Sequence, residues 1–156
     1  MGYTRCGKSI HDDGAWGMPI SYHIHTDRNL VVTRYRGVVS DTEFVNAYRE
    51  IYNSPSARPG LKELVDLRDV TSVQTGARAM REVTSMVHAF HGDAVELMRT
   101  AVLASTDLEY GLSRMYQAIA SETPEQVEVF RIAEEALDWL GEGDSDLEDL
   151  HGDGSD

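Results

Sequence analysis

Between residues 19 and 141 apolar positions recur at two alternating periods, and this predicts an exchange of strands with helices. Ile20, Tyr22 and Ile24 alternate with Ser21, His23 and His25, the pattern of a half-buried strand. Asp27-Arg28-Asn29 turns the chain into LVVTRYRGV (30–38), so these two strands are expected to pair as an antiparallel hairpin. Ser40 followed by Glu43 is a capping box, in which each side chain meets an orphan backbone N–H at a helix start. Phe44, Tyr48, Ile51 and Tyr52 then share one helical face, and Asn53-Ser54-Pro55 ends it, because proline lacks a donor and restricts its predecessor.

LKELVDL (61–67) reads as a short, largely apolar strand. Met80, Val83, Val87 and Phe90 predict an amphipathic helix over 76–91 that stops near Gly92. MRTAVLA (98–104) reads as a buried central strand. Thr106 and Glu109 form a second capping box, behind which Leu108, Leu112, Met115, Tyr116 and Ile119 are expected to line the packed face. Pro124 precedes a last alternating strand, QVEVFR (126–131), and Ala133, Ala136, Leu137 and Leu140 give a final helix closed by Gly141. The order is β-β-α-β-α-β-α-β-α. Strands separated by helices require right-handed crossovers, so the expected fold is α/β, with a single five-stranded, mostly parallel mixed sheet and about four helices.

The ends lack this periodicity. Residues 1–18 are glycine-rich and read as a flexible leader, 19–141 as the domain, and 142–156 as a disordered acidic tail. Of the 27 acidic residues, seven fall in 141–156, where there is no Lys or Arg. The net charge of −13 leaves no basic face for phosphate backbones, so nucleic acid is excluded as an expected partner. No apolar run approaches the ~18 residues of a membrane-spanning helix. The first residues carry no apolar stretch of the kind a secretory signal needs, and Cys6 has no second cysteine to pair with, so a cytoplasmic location is the expectation.

Four stretches resemble the STAS-type domain of sulphate-transporter tails and anti-sigma-factor antagonists, in its stand-alone SpoIIAA-like bacterial branch: LVVTRYRGVVS (30–40), ELVDLRDVTSV (63–73), DLEYGLSRMYQ (107–117) and VFRIAEEALDWLG (129–141). The resemblance implies the same fold and a regulatory or protein-interaction role rather than turnover. It also implies a phospho-acceptor in the loop after the third strand. Where the antagonists carry Asp-Ser-Ser-Gly, this chain has Val73-Gln74-Thr75-Gly76, with Gln74 in place of the aspartate. Thr75, with Thr71 and Ser72 before it, is the candidate acceptor and partner loop, at the carboxyl end of a strand where open α/β sheets bind ligands. A hydroxyl there also serves simply as a helix cap.

Other candidates are weighed on spacing. Asp66, Arg68 and Asp69 surround the end of the third strand, and suit either a polar ligand or a local salt-bridge cluster. Tyr110 and Arg114 are four apart on one helix, so they stack on each other or meet a partner. His23 with His25 and His88 with His91 have metal-ligand spacing, but no carboxylate or cysteine completes a set, so no metal or other cofactor is expected. No nucleophile elbow or glycine-rich phosphate loop is present, and no enzyme is expected. The candidate partners are a protein, a second copy of this chain, or a small apolar ligand or lipid held between sheet and helices.

Overall fold

The computed structural model describes residues 3–5 and 19–151. Strands β1 (Tyr3–Arg5), β2 (Ile20–His25), β3 (Leu30–Ser40), β4 (Lys62–Gln74), β5 (Arg99–Leu103) and β6 (Gln126–Phe130) form one sheet in sequential order. The helices are α1 (Asp41–Asn53), α2 (Ala77–His91), α3 (Asp107–Ala120), α4 (Ala133–Leu140) and α5 (Leu147–His151), with a 3-10 segment over Gly92–Leu97. The five expected strands are all present. The hairpin is β2–β3, antiparallel, and β3, β4, β5 and β6 are parallel. Tyr3–Arg5, inside the expected leader, adds a short antiparallel strand beside β2 that no alternation in the sequence announced.

Both capping boxes form, Ser40 with Glu43 and Thr106 with Glu109. Right-handed crossovers taken in one direction across the sheet put all three connecting helices on one face. That face buries Ile24, Val31, Tyr35, Tyr48, Val65, Val83 and Val102. The opposite face is smaller and aliphatic: Leu30, Val32, Leu64, Ala101 and Leu103 pack against Leu137, Leu140, Leu147 and Leu150 of α4 and α5.

Two expectations fail here. Glu142, Leu147 and Leu150 are buried, so 142–151 is not a solvated tail. Two leucines at i and i+3 make one turn's worth of apolar stripe, too short to stand out in an acidic run but enough to seat α5 on β2 and β3. On α3 one predicted position departs: Leu108 is 59% exposed, whereas Leu112, Met115, Tyr116 and Ile119 pack inward as expected and Glu109, Ser113 and Ala120 are buried beside them. Its polar groups are satisfied locally. Glu109 accepts from the Ser105 N–H at 2.8 Å, and the Ser113 hydroxyl donates to the Glu109 carbonyl at 2.7 Å, so burial leaves neither wanting.

Strand β4 runs seven residues past the expected 61–67, pairing with β3 as far as Ser40↔Gln74. Register shifts interrupt that pairing between Arg34 and Arg36 and between Gly37 and Val38. Gly37 has φ 63°, and nothing lies within 4 Å of where its Cβ would be, so the backbone conformation rather than space asks for glycine. Bulges bend a strand and increase its twist. A straight strand of this length would span about 40 Å, yet Glu63 near its start and Thr75 just past its end line the same cavity. The bent arm folds back over the helical face.

Candidate functional site

The cavity lies between the sheet and the layer of α1, α2 and α3, and has about 70 Å³ of space open to the centre of a water-sized molecule. Its wall is mostly apolar or aromatic: Phe44 and Tyr48 from α1, Met80 from α2, Leu112 and Tyr116 from α3, Tyr35 from β3, and Val65, Leu67 and Val102 from the sheet. Period-two alternation explains the sheet's share, since Glu63, Val65 and Leu67 point to one face while Leu64 and Asp66 point to the other.

Polar groups converge at Glu63. Its Oε2 accepts from the Tyr48 hydroxyl at 2.5 Å and from the Thr33 hydroxyl at 2.9 Å. Tyr48 spends its one proton on Glu63, so Tyr35, 3.0 Å away, donates to Tyr48. Burial pushes the Glu63 carboxyl up from 4.5 to about 7, against the opposing bonds from Tyr48 and Thr33. Glu125, just before β6, is reached at 3.4 Å by the hydroxyls of Tyr116 and Thr100, both cavity residues. Burial and then the Glu63 charge drive it up to about 8. Burial, reinforced by these carboxylates, holds the Tyr35, Tyr48, Tyr52 and Tyr116 hydroxyls firmly neutral. Two buried oxygens have no hydrogen-bond partner, Thr75 Oγ1 on the cavity wall and Glu125 Oε1 behind it. An unpaired buried hydroxyl or carboxyl oxygen forfeits its hydration, a cost a bound molecule can offset.

The hydroxyls singled out from sequence are divided by the fold. Thr71 and Ser72 lie in β4 and not in a loop, because the parallel pairing continues to Gln74. Thr71 is exposed and Ser72 half-buried, while Thr75 is only 7% exposed. Neither Ser72 nor Thr75 caps α2. Its N-cap is Gly76 with no side-chain cap bond, and the Gly76 N–H donates to Asp41 Oδ1 at 2.9 Å, so a carboxylate already sits at that helix start.

Asp66 and Arg68 form the local cluster rather than an open ligand site. Arg68 grips Asp66 through Nε and Nη2, both at 2.9 Å, and His151 of α5 meets the second oxygen at 2.9 Å. Asp69 pairs instead with Arg34 at 2.8 Å. Burial alone would raise the Asp66 carboxyl, but the bonds from His151 and Arg68 outweigh it and hold it well below the carboxylate range. Tyr110 and Arg114 stack as their spacing predicts, with the guanidinium carbon 5.8 Å from the ring centre, and Arg131 covers the same ring at 4.6 Å. They stand apart from the cavity.

The histidines scatter. His23 and His25 stack at 4.8 Å, and His25 Nε2 lies 2.7 Å from the Leu150 carbonyl. His88 is exposed, but His91 is buried, its Nδ1 accepting from the Gly60 N–H at 2.8 Å. Among the described residues no three His, Cys, Asp or Glu side chains gather as for a metal. The residues missed were Tyr35, Tyr48, Glu63, Thr100, Tyr116 and Glu125. One signal was available: Glu63 alternates with Val65 and Leu67, which puts a carboxyl on the apolar face of its strand.

No family model and no curated protein matches the chain. Among solved structures it is similar to an uncharacterized protein of the DUF3478 family with a SpoIIAA-like fold from Shewanella loihica PV-4, at 16% identity and a TM-score of 0.48, over 89% of this chain and 94% of that one. The strand order and crossovers described above are those that the STAS-like resemblance implies. No helix among the described residues is long and apolar enough to cross a membrane.

Proposed function

We propose that the chain is a ligand-binding module, in which the cavity under the bent β3–β4 arm takes up a small, largely apolar molecule. The observation that carries this is the unpartnered Thr75 hydroxyl on an apolar wall that also displays the Glu63–Tyr48–Tyr35 chain. An enclosed apolar site with a few convergent polar groups is the usual make-up of a small-molecule site. Binding rather than turnover is the reading. Both carboxyls are displaced upward by burial, and a catalytic acid and base would need environments that push them apart.

Native mass spectrometry of protein isolated from its own host tests this. The expected result is a discrete non-covalent mass that disappears when Leu112→Trp fills the cavity wall. The same mass at full occupancy in that variant would overturn the assignment. So would a bare wild-type protein whose tyrosine NMR signals ignore small aromatic probes, charged and neutral alike. The regulatory reading draws on Thr71, the exposed member of the three hydroxyls. A phosphate mapped there would give the module an input beside its ligand.

A further inference from the structure

Among the described residues buried carboxyls are held in three ways, and Glu109 takes the first, backbone N–H groups at a helix start. Asp66 is held by Arg68 and His151, and Glu142 by Arg28 at 2.6 Å and Lys62 at 3.1 Å. Glu63 and Glu125 have only hydroxyls. Among the described residues no Lys, Arg or His lines the cavity, and each carboxyl raises the cost of ionising the other or its tyrosine neighbours. A buried carboxylate without a cation is among the costlier things a fold can hold. Around it stand the rings of Tyr35, Phe44, Tyr48 and Tyr116, whose faces attract cations. Both hydroxyl donors to Glu63 use Oε2, so Oε1 is the oxygen that neither engages.

We propose that the ligand is a small organic cation, an apolar body with one ammonium group directed at Glu63 and enclosed by the tyrosine and phenylalanine rings. This rests on the cavity being a binding site. An anion would face a carboxylate with no cation to receive it. A neutral molecule would fill the space but leave the charge of Glu63 uncompensated. At 10–15 Å³ for each water-sized position, the cavity holds about five, the bulk of a molecule with roughly six to eight heavy atoms.

Three probes of matched size separate the ideas: benzylammonium, benzyl alcohol and benzoate, titrated into the full chain by calorimetry and by NMR of the tyrosine signals at pH 8. Benzylammonium is expected to bind at least ten-fold more tightly than benzyl alcohol, and benzoate not at all. Glu63→Gln keeps an oxygen for Tyr48 and Thr33, and is expected to bring the ammonium down to the alcohol's affinity. In the wild type, ammonium affinity is expected to fall on going from pH 8 to 5.5, because the Glu63–Glu125 pair takes up protons, while the alcohol is unaffected. The titratable groups facing Glu63 are Tyr35, Tyr48, Tyr52, Tyr116 and Glu125, and the tyrosines stay neutral throughout that range. That pH dependence decides the matter even if the variant fails to fold. Alcohol binding as tight as ammonium, or benzoate binding best, would overturn the cation and keep the cavity. If all three leave the tyrosine signals unmoved, the binding-site reading falls as well.

Discussion

The two faces of the sheet solve the same burial problem with different materials. The α4/α5 face is aliphatic, and its buried charges stand in opposite-sign sets that pin 142–151 to the β2–β3 turn and to β4. The α1/α2/α3 face is built of aromatics around a hole, with two carboxyls that meet only hydroxyls. A face whose polar groups are all answered from within is a structural one. The other face keeps two oxygens, Thr75 Oγ1 and Glu125 Oε1, without a partner among the described residues.

The largest effect tests how closed the first face is. Leu150→Ala removes a buried side chain from the α5 seat and is expected to cost about 2–5 kcal/mol in urea unfolding, with His151 released from Asp66. A loss under about 1 kcal/mol would show that α5 merely rests on the sheet.

The next concerns pH, where the faces carry opposite signs. The Asp66 carboxyl is held below its ordinary value, so its contribution is present above about pH 4 and lost as acid protonates it. Glu63 and Glu125 are raised, so their contribution is fully present below their ordinary value near 4.5 and is lost as pH climbs through about 7 and 8. The unliganded protein is therefore expected to be most stable near pH 4–5. Glu63→Gln is expected to match the wild type there and to exceed it at pH 8 by on the order of 2–3 kcal/mol. Equal stability of the two proteins at pH 8 would mean that Glu63 ionises freely.

The smallest effect sits on the cavity wall. Thr75→Val deletes a hydroxyl that has no partner and is expected to change stability by less than about 1 kcal/mol, in the stabilising direction. Thr33→Val, which removes a donor to Glu63, is expected to destabilise by about 1 kcal/mol. A destabilised Thr75→Val would place an ordered water on that hydroxyl.

What could be read from sequence was what neighbours in the chain decide. The Ile20-Tyr22-Ile24 alternation, the two capping boxes and the Gly141 stop each depend on residues within four positions, and each appears as expected. The arm over 68–74 was missed because its pairing with β3 is supported by few apolar positions. The α3 face was read correctly except at Leu108, and the burial of Glu109 and Ser113 beside it was missed because hydrophobicity is a poor guide where polar groups are satisfied locally. The cavity draws Tyr35, Tyr48, Glu63, Thr75 and Tyr116 from five stretches of chain, and no local spacing ties them together. Thr75 was singled out for another reason, as a candidate acceptor beside Thr71 and Ser72, and the structure places it, 7% exposed, on the cavity wall.

The seat of α5 also bears on the order in which the molecule is made. Asp66 waits for His151, and His25 for the Leu150 carbonyl, separations of 85 and 125 residues. During synthesis the three crossover helices can cover their side of the sheet while Leu30, Val32 and Leu64 still face water. Until residues 133–151 clear the ribosome, the nascent chain presents a greasy, parallel-stranded surface of the sort that chaperones engage. The stretch that follows Gly141 thus brings the cover for that surface, Leu147 and Leu150, only after every strand that needs it has been made.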